Sequence, residues 1–191
     1  MSDIEFVNRI KSGDEDAFRQ MVEKHQKFVL NTCLRFVQII EIAEDITQDV
    51  FVEVFKSIKN FRGDSKLSTW IYRIAVTRSL DYLKMTKRKK RFAKLKSLLG
   101  DDGKEVVLPS SDLMPNSQSE NEERIKILTW AMNSLAENQR VAFTLSKYDE
   151  MSYKEIADIM ETTVSAVESL IHRAKTNLKK KLYKYYERNL I

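Results

Sequence analysis

Ser165, Glu168, Ser169, His172, Arg173 and Lys175 follow one another at helical spacing after Glu161-Thr162-Thr163. Side chains three and four residues apart share a face of a helix. This set offers a guanidinium, an ammonium, two hydroxyls, an imidazole and a carboxylate. Such groups suit hydrogen bonding to base edges in a DNA groove. Arg pairs with guanine, Ser is permissive, and Glu accepts from cytosine. Lys179, Lys180, Lys181 and Lys184 come later in the same stretch. They suit phosphates, or equally a solvated helix end whose charge complements the macrodipole.

Two helices must position that set. Ser152 with Glu155 has the spacing of a capping box, so a helix starts there. Ile156, Ala157 and Met160 continue it at helical spacing. Thr163 can cap a second helix whose buried stripe is Val167, Ile171, Ala174, Leu178 and Leu182. Two helices across a short turn can place the second in a major groove. The plain alternative is a helical hairpin that binds nothing, and the outward-facing polar set argues against it.

A second constellation runs from Phe61 to Lys96. Residues 61–96 carry net charge +10, against −3 for 1–60, −5 for 97–137 and +3 for 138–191. Arg62, Lys66, Arg73, Arg78, Lys84 and the run Lys87-Arg88-Lys89-Lys90-Arg91 are interleaved with Trp70 and Tyr72. Basic groups with aromatics suit nucleic acid, including opened strands on which bases stack. Trp70 also has the spacing of a core residue with Ile74, and that reading is preferred for the ring itself. A third feature is the acidic face Glu44, Asp45, Gln48, Asp49 and Glu53. Negative charge repels DNA, so this face is either solvated or docks a protein with a basic groove.

Catalytic sets are missing from the pattern. His25 and His172 lack neighbours at metal-ligand spacing, and no glycine loop suits a phosphate. No metal, cofactor or enzymatic activity is expected. Cys33 is the single cysteine, which excludes an internal disulfide; it reads as packing rather than a nucleophile. The N-terminus has no signal-peptide pattern, and no apolar run approaches the roughly 18 residues of a membrane span. A cytoplasmic protein without membrane insertion is expected.

The composition, with four glycines and two prolines in 191 residues, predicts an all-α fold. Both prolines and two of the glycines lie between 97 and 121, where apolar periodicity is lost. The expected architecture is two small helical domains joined by a flexible acidic linker, the C-terminal one carrying the helix-turn-helix. The boundaries are 1–94, a linker over 95–121, and 122–191. The first domain should hold helices near 3–11, 14–37, 41–59 and 68–90. The third of these buries Ala43, Ile46, Val50, Val54 and Ile58, with Phe51 and Phe55 beside them. The second domain should hold helices near 121–133 and 136–147 before the opening pair.

Three stretches, in this order, resemble the extracytoplasmic-function (ECF) sigma factors of bacterial RNA polymerase. Ala43-Glu44-Asp45-Ile46-Thr47-Gln48-Asp49-Val50-Phe51 looks like that family's polymerase-binding helix. Phe61 through Leu83, with Ser68-Thr69-Trp70-Ile71-Tyr72-Arg73-Ile74-Ala75, looks like its −10-melting segment. Leu135 through Lys175 looks like its −35-reading domain. The resemblance implies that Asp45, Gln48, Asp49 and Val52 dock on core polymerase, at the β′ clamp helices, with the β flap as a further contact. It implies that Phe61, Arg62, Lys66, Ser68, Thr69, Arg73, Thr77 and Arg78 serve the −10 element, the loop from Arg62 to Thr69 capturing a flipped base. It assigns Ser165, Glu168, Ser169, His172, Arg173 and Lys175 to the −35 element. It also implies promoter DNA and an anti-sigma protein as partners. Thr77 stands where the family usually has Asn, and Glu168 where many members are basic. Ser165 replaces a common Gly, and Ala136 a common Pro.

The expected function is therefore a sigma factor: a non-catalytic specificity subunit that directs core polymerase to promoters and assists their melting. Free in solution it should bind promoter duplex poorly, because each small domain offers few contacts and linkage to polymerase supplies effective concentration. The rivals are a stand-alone helix-turn-helix regulator on a palindromic site and a nucleic-acid-processing enzyme, which the missing catalytic sets disfavour.

Overall fold

The computed structural model describes residues 3–98 and 120–189. Among these, every regular element is helical, as the composition predicts.

Helix α1, Asp3–Lys11, buries Val7 and Ile10 and stops at Gly13, whose φ of 90° is costly for any other residue type. Asp14 caps α2, Glu15–Val37, by accepting from the Ala17 N–H at 2.9 Å. That bond, with the Arg9 guanidinium beside it, holds the Asp14 carboxyl below its ordinary range. Helix α2 ends on Gln38 in the left-handed region, its N–H donating to the Leu34 carbonyl. Helix α3, Ile40–Ser57, runs into a 3-10 turn, Ile58–Asn60. Helix α4, Leu67–Leu98, closes the first module.

Phe36, Met21, Val29, Val50, Val54 and Ile71 are fully buried where α2, α3 and α4 meet. Each such side chain contributes about 1.5–3 kcal/mol by leaving water. Cys33 lies among them, and burial pushes its thiol above the ordinary value, as suits a packing role. Phe55 departs from expectation. It is 62% exposed, because it falls on the α3 face opposite Ala43, Val50 and Val54.

Helix α4 is longer than the periodicity predicts. From Leu67 to Leu98 the chain has neither Gly nor Pro and is rich in Lys, Arg and Leu, so nothing local stops the helix. The boundary expected after residue 94 falls inside it. Most of the expected linker lies outside the described residues.

The second module holds α5, Glu120–Asn133; α6, Glu137–Lys147; α7, Tyr153–Met160; and α8, Val164–Asn189. Val167, Ile171, Ala174 and Leu178 form the buried stripe of α8, with Leu182 partly covered at its end. The modules do not stand apart. Helix α7 packs on α4, and one apolar cluster runs from Met21, Phe36 and Ile71 into Leu145, Ile156 and Ile171.

Candidate nucleic-acid interface

The capping box predicted for α7 is present. Ser152 Oγ accepts from the Glu155 N–H at 3.3 Å, and the Glu155 carboxylate accepts from the Ser152 N–H at 3.1 Å. Glu161 then turns the chain at φ 51°, and Thr163 Oγ1 accepts from the Ala166 N–H at 3.1 Å to start α8. Ser165, Glu168, Ser169, His172, Arg173 and Lys175 are all exposed. Glu168, Ser169, His172 and Arg173 line one shallow depression on α8. The first three turns or so of this helix therefore present a polar surface, and a helix can enter a major groove.

Further along α8 the lysines divide. Lys179, Lys180 and Lys184 are exposed, whereas Lys181 Nζ sits 4.1 Å above the centre of the Trp130 ring. Lys181 thus ties α8 to α5 through a cation–π contact and is not presented to a phosphate.

On α3, Asp45, Gln48, Asp49 and Val52 are exposed along one face. Among the described residues neither Asp45 nor Asp49 is in an ion pair. Phe55 extends the same face one turn on, its ring 5.1 Å from that of Phe18. The spacing of Phe55 from Gln48 and Val52 already placed it there; its hydrophobicity argued for the core instead. Glu53 sits to the side and accepts from the Arg78 guanidinium on α4 at 2.8 Å.

The basic segment is arranged differently. Phe61 and Thr69 are buried, and Phe61 packs its ring 5.2 Å from that of the half-buried Trp70. Lys11 Nζ donates to the Phe61 carbonyl at 2.7 Å, which fixes the start of the loop. Arg62 and Thr77 are exposed, and Ser68 is half-buried. Lys66 Nζ lies 3.5 Å from Glu155 Oε1. Arg73 donates to Glu161 Oε1 at 2.6 Å and to the Asp158 carbonyl at 2.5 Å. A cleft of about 400 Å³ opens between this loop and α7, lined by Arg62, Asp64, Trp70, Arg73, Asp158 and Glu161 among others. Lys87, Arg88, Lys89 and Arg91 continue the positive surface along α4 into solvent.

Residues missed by the sequence patterns join the modules. Arg140 on α6 is 6% exposed; its guanidinium donates to the Phe36 carbonyl at 2.6 Å and lies 5.7 Å from the Phe36 ring centre. Arg35 on α2 pairs with Asp149, whose side chain is wholly buried. Burial pulls both guanidinium groups below their ordinary value, and they stay charged. Lys84 pairs with Glu137 at 3.0 Å, and the Glu137 hydrogen bond raises the Lys84 ammonium. No periodicity announces such long-range pairs.

Comparison with known proteins fits this arrangement. Residues 21–89 match the family model Sigma-70 region 2, and residues 126–178 match Sigma-70, region 4. Two helical modules in this order, the second built on a helix-turn-helix, define a sigma-70-type protein. Over 182 residues the chain is 31% identical to the ECF RNA polymerase sigma-E factor of Escherichia coli (strain K12), covering 95% of each. It is 31% identical over 185 residues to the sigma-E factor of Haemophilus influenzae, covering 95% of this chain and 96% of the relative. The chain belongs to the ECF RNA polymerase sigma factors. Two solved structures share its fold. One is CnrH in complex with the cytosolic domain of CnrY, with a TM-score of 0.66 and 23% identity over 95% of this chain and 97% of that one. The other is the sigma factor RpoE of Bartonella quintana with the anti-sigma factor NepR, with a TM-score of 0.59 and 23% identity over 87% and 96%. As a sigma factor the protein directs RNA polymerase to promoters. Among the described residues no helix is long and apolar enough to cross a membrane.

Proposed function

We propose that α3 docks on the β′ clamp helices of core polymerase through Asp45, Gln48, Asp49 and Val52, with Phe55 completing the patch. The single observation that carries this reading is the exposed face itself. Two carboxylates without an ion partner among the described residues precede an apolar strip of Val52 and Phe55, 49% and 62% exposed. Unpaired acids beside exposed apolar side chains suit a basic, partly apolar groove on another protein.

On this reading the loop and first turns of α4 hold the opened −10 strand, with Arg62, Lys66, Arg73 and Arg78 near phosphates and the Arg62–Thr69 loop against an unstacked base. Phe61 and Thr69, being buried, shape that loop from beneath. Ser165, Glu168, Ser169, His172, Arg173 and Lys175 meet the −35 element, and the second module also meets the β flap. The protein works in the cytoplasm and is a specificity subunit; nucleotidyl transfer belongs to core polymerase. An anti-sigma protein that covers these surfaces would control it, as NepR accompanies the Bartonella factor in its co-crystal structure.

Run-off transcription with purified core polymerase on genomic fragments tests the reading. The wild-type chain is expected to give promoter-dependent transcripts. Asp45→Lys with Asp49→Lys should abolish them and weaken core binding, while the circular dichroism spectrum stays unchanged. Wild-type core binding by the doubly reversed chain would remove α3 as the docking element.

A further inference from the structure

One acid stands among the basic groups and hydroxyls that α8 offers to duplex DNA. Glu168 is exposed, and its carboxylate enters no side-chain hydrogen bond or ion pair among the described residues. It follows the fully buried Val167 and precedes the buried Ile171, so the core fixes where its backbone lies. At 3.6 residues per turn, Ser165, Ser169 and His172 point most directly away from the buried stripe, and Glu168 and Arg173 project on opposite sides of that line. Glu168, Ser169, His172 and Arg173 share one shallow depression. The carboxylate thus borders the surface proposed to enter the groove, rather than the core or the joint between the modules.

An ionised carboxylate only accepts hydrogen bonds. Against duplex DNA it is repelled by the phosphates and gains only where a donor faces it. In the major groove the bases present two such donors, the N4 amino group of cytosine and the N6 amino group of adenine. Guanine shows O6 and N7 there and thymine shows O4, all acceptors that oppose a carboxylate. Adenine sets its N7 acceptor beside the N6 donor, against the second carboxylate oxygen. Cytosine has no ring acceptor on that edge. Of the four bases, cytosine therefore satisfies Glu168 best. A cation paired with Glu168 inside the protein would blunt this discrimination, and the free carboxylate keeps it.

We propose that Glu168 is a specificity filter for the −35 element: it accepts from a cytosine N4 amino group and rejects guanine and thymine at one base pair. This rests on the reading of α8 as the helix that meets the −35 duplex. Arg173 lies five residues further on, about 7.5 Å along the helix axis, or about two base-pair steps. The two side chains therefore address different base pairs, Arg173 a guanine and Glu168 a cytosine.

Selection from a duplex library tests the proposal. Holoenzyme reconstituted from purified core polymerase and the full-length chain is bound to promoter fragments randomised across the −35 region, and the retained fragments are sequenced. With the wild-type chain, one position should favour cytosine about tenfold over guanine or thymine. Glu168→Gln should move that preference toward adenine, because a carboxamide can accept from N6 and donate to N7 together. Glu168→Ala should raise binding to fragments with guanine or thymine there and not to those with cytosine. A uniform gain on every fragment with Glu168→Ala would make Glu168 a general repulsive charge beside phosphate and overturn the filter. So would an unchanged base preference in both variants. Arg173→Ala separates the two readings: if it alters the selected sequences while the Glu168 variants do not, α8 still reads the −35 element and the filter alone falls. If the wild-type holoenzyme selects no base in that region, the −35 reading of α8 falls and the filter with it.

Discussion

The surface proposed for the −10 element, at the start of α4, and that proposed for the −35 element, on α8, use the same kinds of residue in opposite ways. Lys66 just before α4, and Arg73 and Arg78 on it, each meet a carboxylate of this same chain. On α8, Arg173 and Lys175 are exposed, and neither is in an ion pair among the described residues. The difference follows from what surrounds each helix. The start of α4 lies under α7 and beside α3, both of which carry acids. Among the described residues nothing covers the outer face of α8. On the proposed reading, a strand bound at the start of α4 displaces these ion pairs, whereas duplex bound at α8 displaces none among the described residues.

The largest effect that could break this comparison concerns the shared core. Ile71 lies beneath the α4 surface and Ile171 beneath the α8 surface, 0% and 2% exposed. Replacing either by Ala should cost about 2–5 kcal/mol. Because one cluster includes both, either change should lower a single cooperative thermal transition. Two separate transitions, each moved by only one substitution, would mean that the modules fold and melt independently.

The next effect separates the surfaces by specificity. Arg173→Ala should lose about 1–3 kcal/mol at one −35 base pair if its guanidinium makes a bidentate contact there. Fluorescence anisotropy of the holoenzyme on matched and altered −35 elements measures it. A uniform loss across altered elements would make Arg173 a phosphate contact. Arg73→Ala should behave otherwise: it removes the proposed strand contact and also a tie to Glu161, so free-chain binding should change less than its charge suggests.

These contrasts mark what could be read from the amino-acid order. The helix-turn-helix was legible nearly to the residue, because Ser152–Glu155 capping, the Thr163 cap and the Val167–Ile171–Ala174–Leu178 stripe are all local and periodic. The outward set on α8 followed from the same period. The exposed acidic face on α3 was legible as charge, yet Phe55 was misplaced into the core because its hydrophobicity outweighed its register with Gln48 and Val52. The end of α4 was missed because polar periodicity fades before helix propensity does. The joint was illegible for a different reason. Arg140 and Phe36 are 104 residues apart, and a buried Arg donating to a backbone carbonyl leaves no mark in composition or spacing.

A smaller effect concerns the helix that covers α4. The Ser152 hydroxyl, then the Ser152 N–H, hold the Glu155 carboxyl below its ordinary value of 4.5, and Lys66 adds to this. A depressed folded value means that the contribution is complete above about pH 4.5 and is lost as pH falls through the lower folded value. Ser152→Ala should cost about 1 kcal/mol. Glu155→Gln should flatten the acid side of the stability profile in thermal melts, and an unchanged acid limb would remove the capping box as its source.

The smallest effect tests whether the α4 charges are engaged or only nearby. Arg78 and Glu53 form a pair whose side chains are 44% and 39% exposed, so breaking it should cost no more than about 1 kcal/mol. Its consequence lies in charge. With Glu53→Gln, Arg78 no longer neutralises a carboxylate, and it becomes available to a phosphate. The salt dependence of single-strand binding should then steepen by about one unit in log–log slope. Glu168→Gln on α8 removes a carboxylate that neutralises no basic residue among those described, so it should leave the single-strand slope unchanged. If both substitutions steepen it equally, Arg78 was never withheld, and the contrast between the two surfaces reduces to net charge.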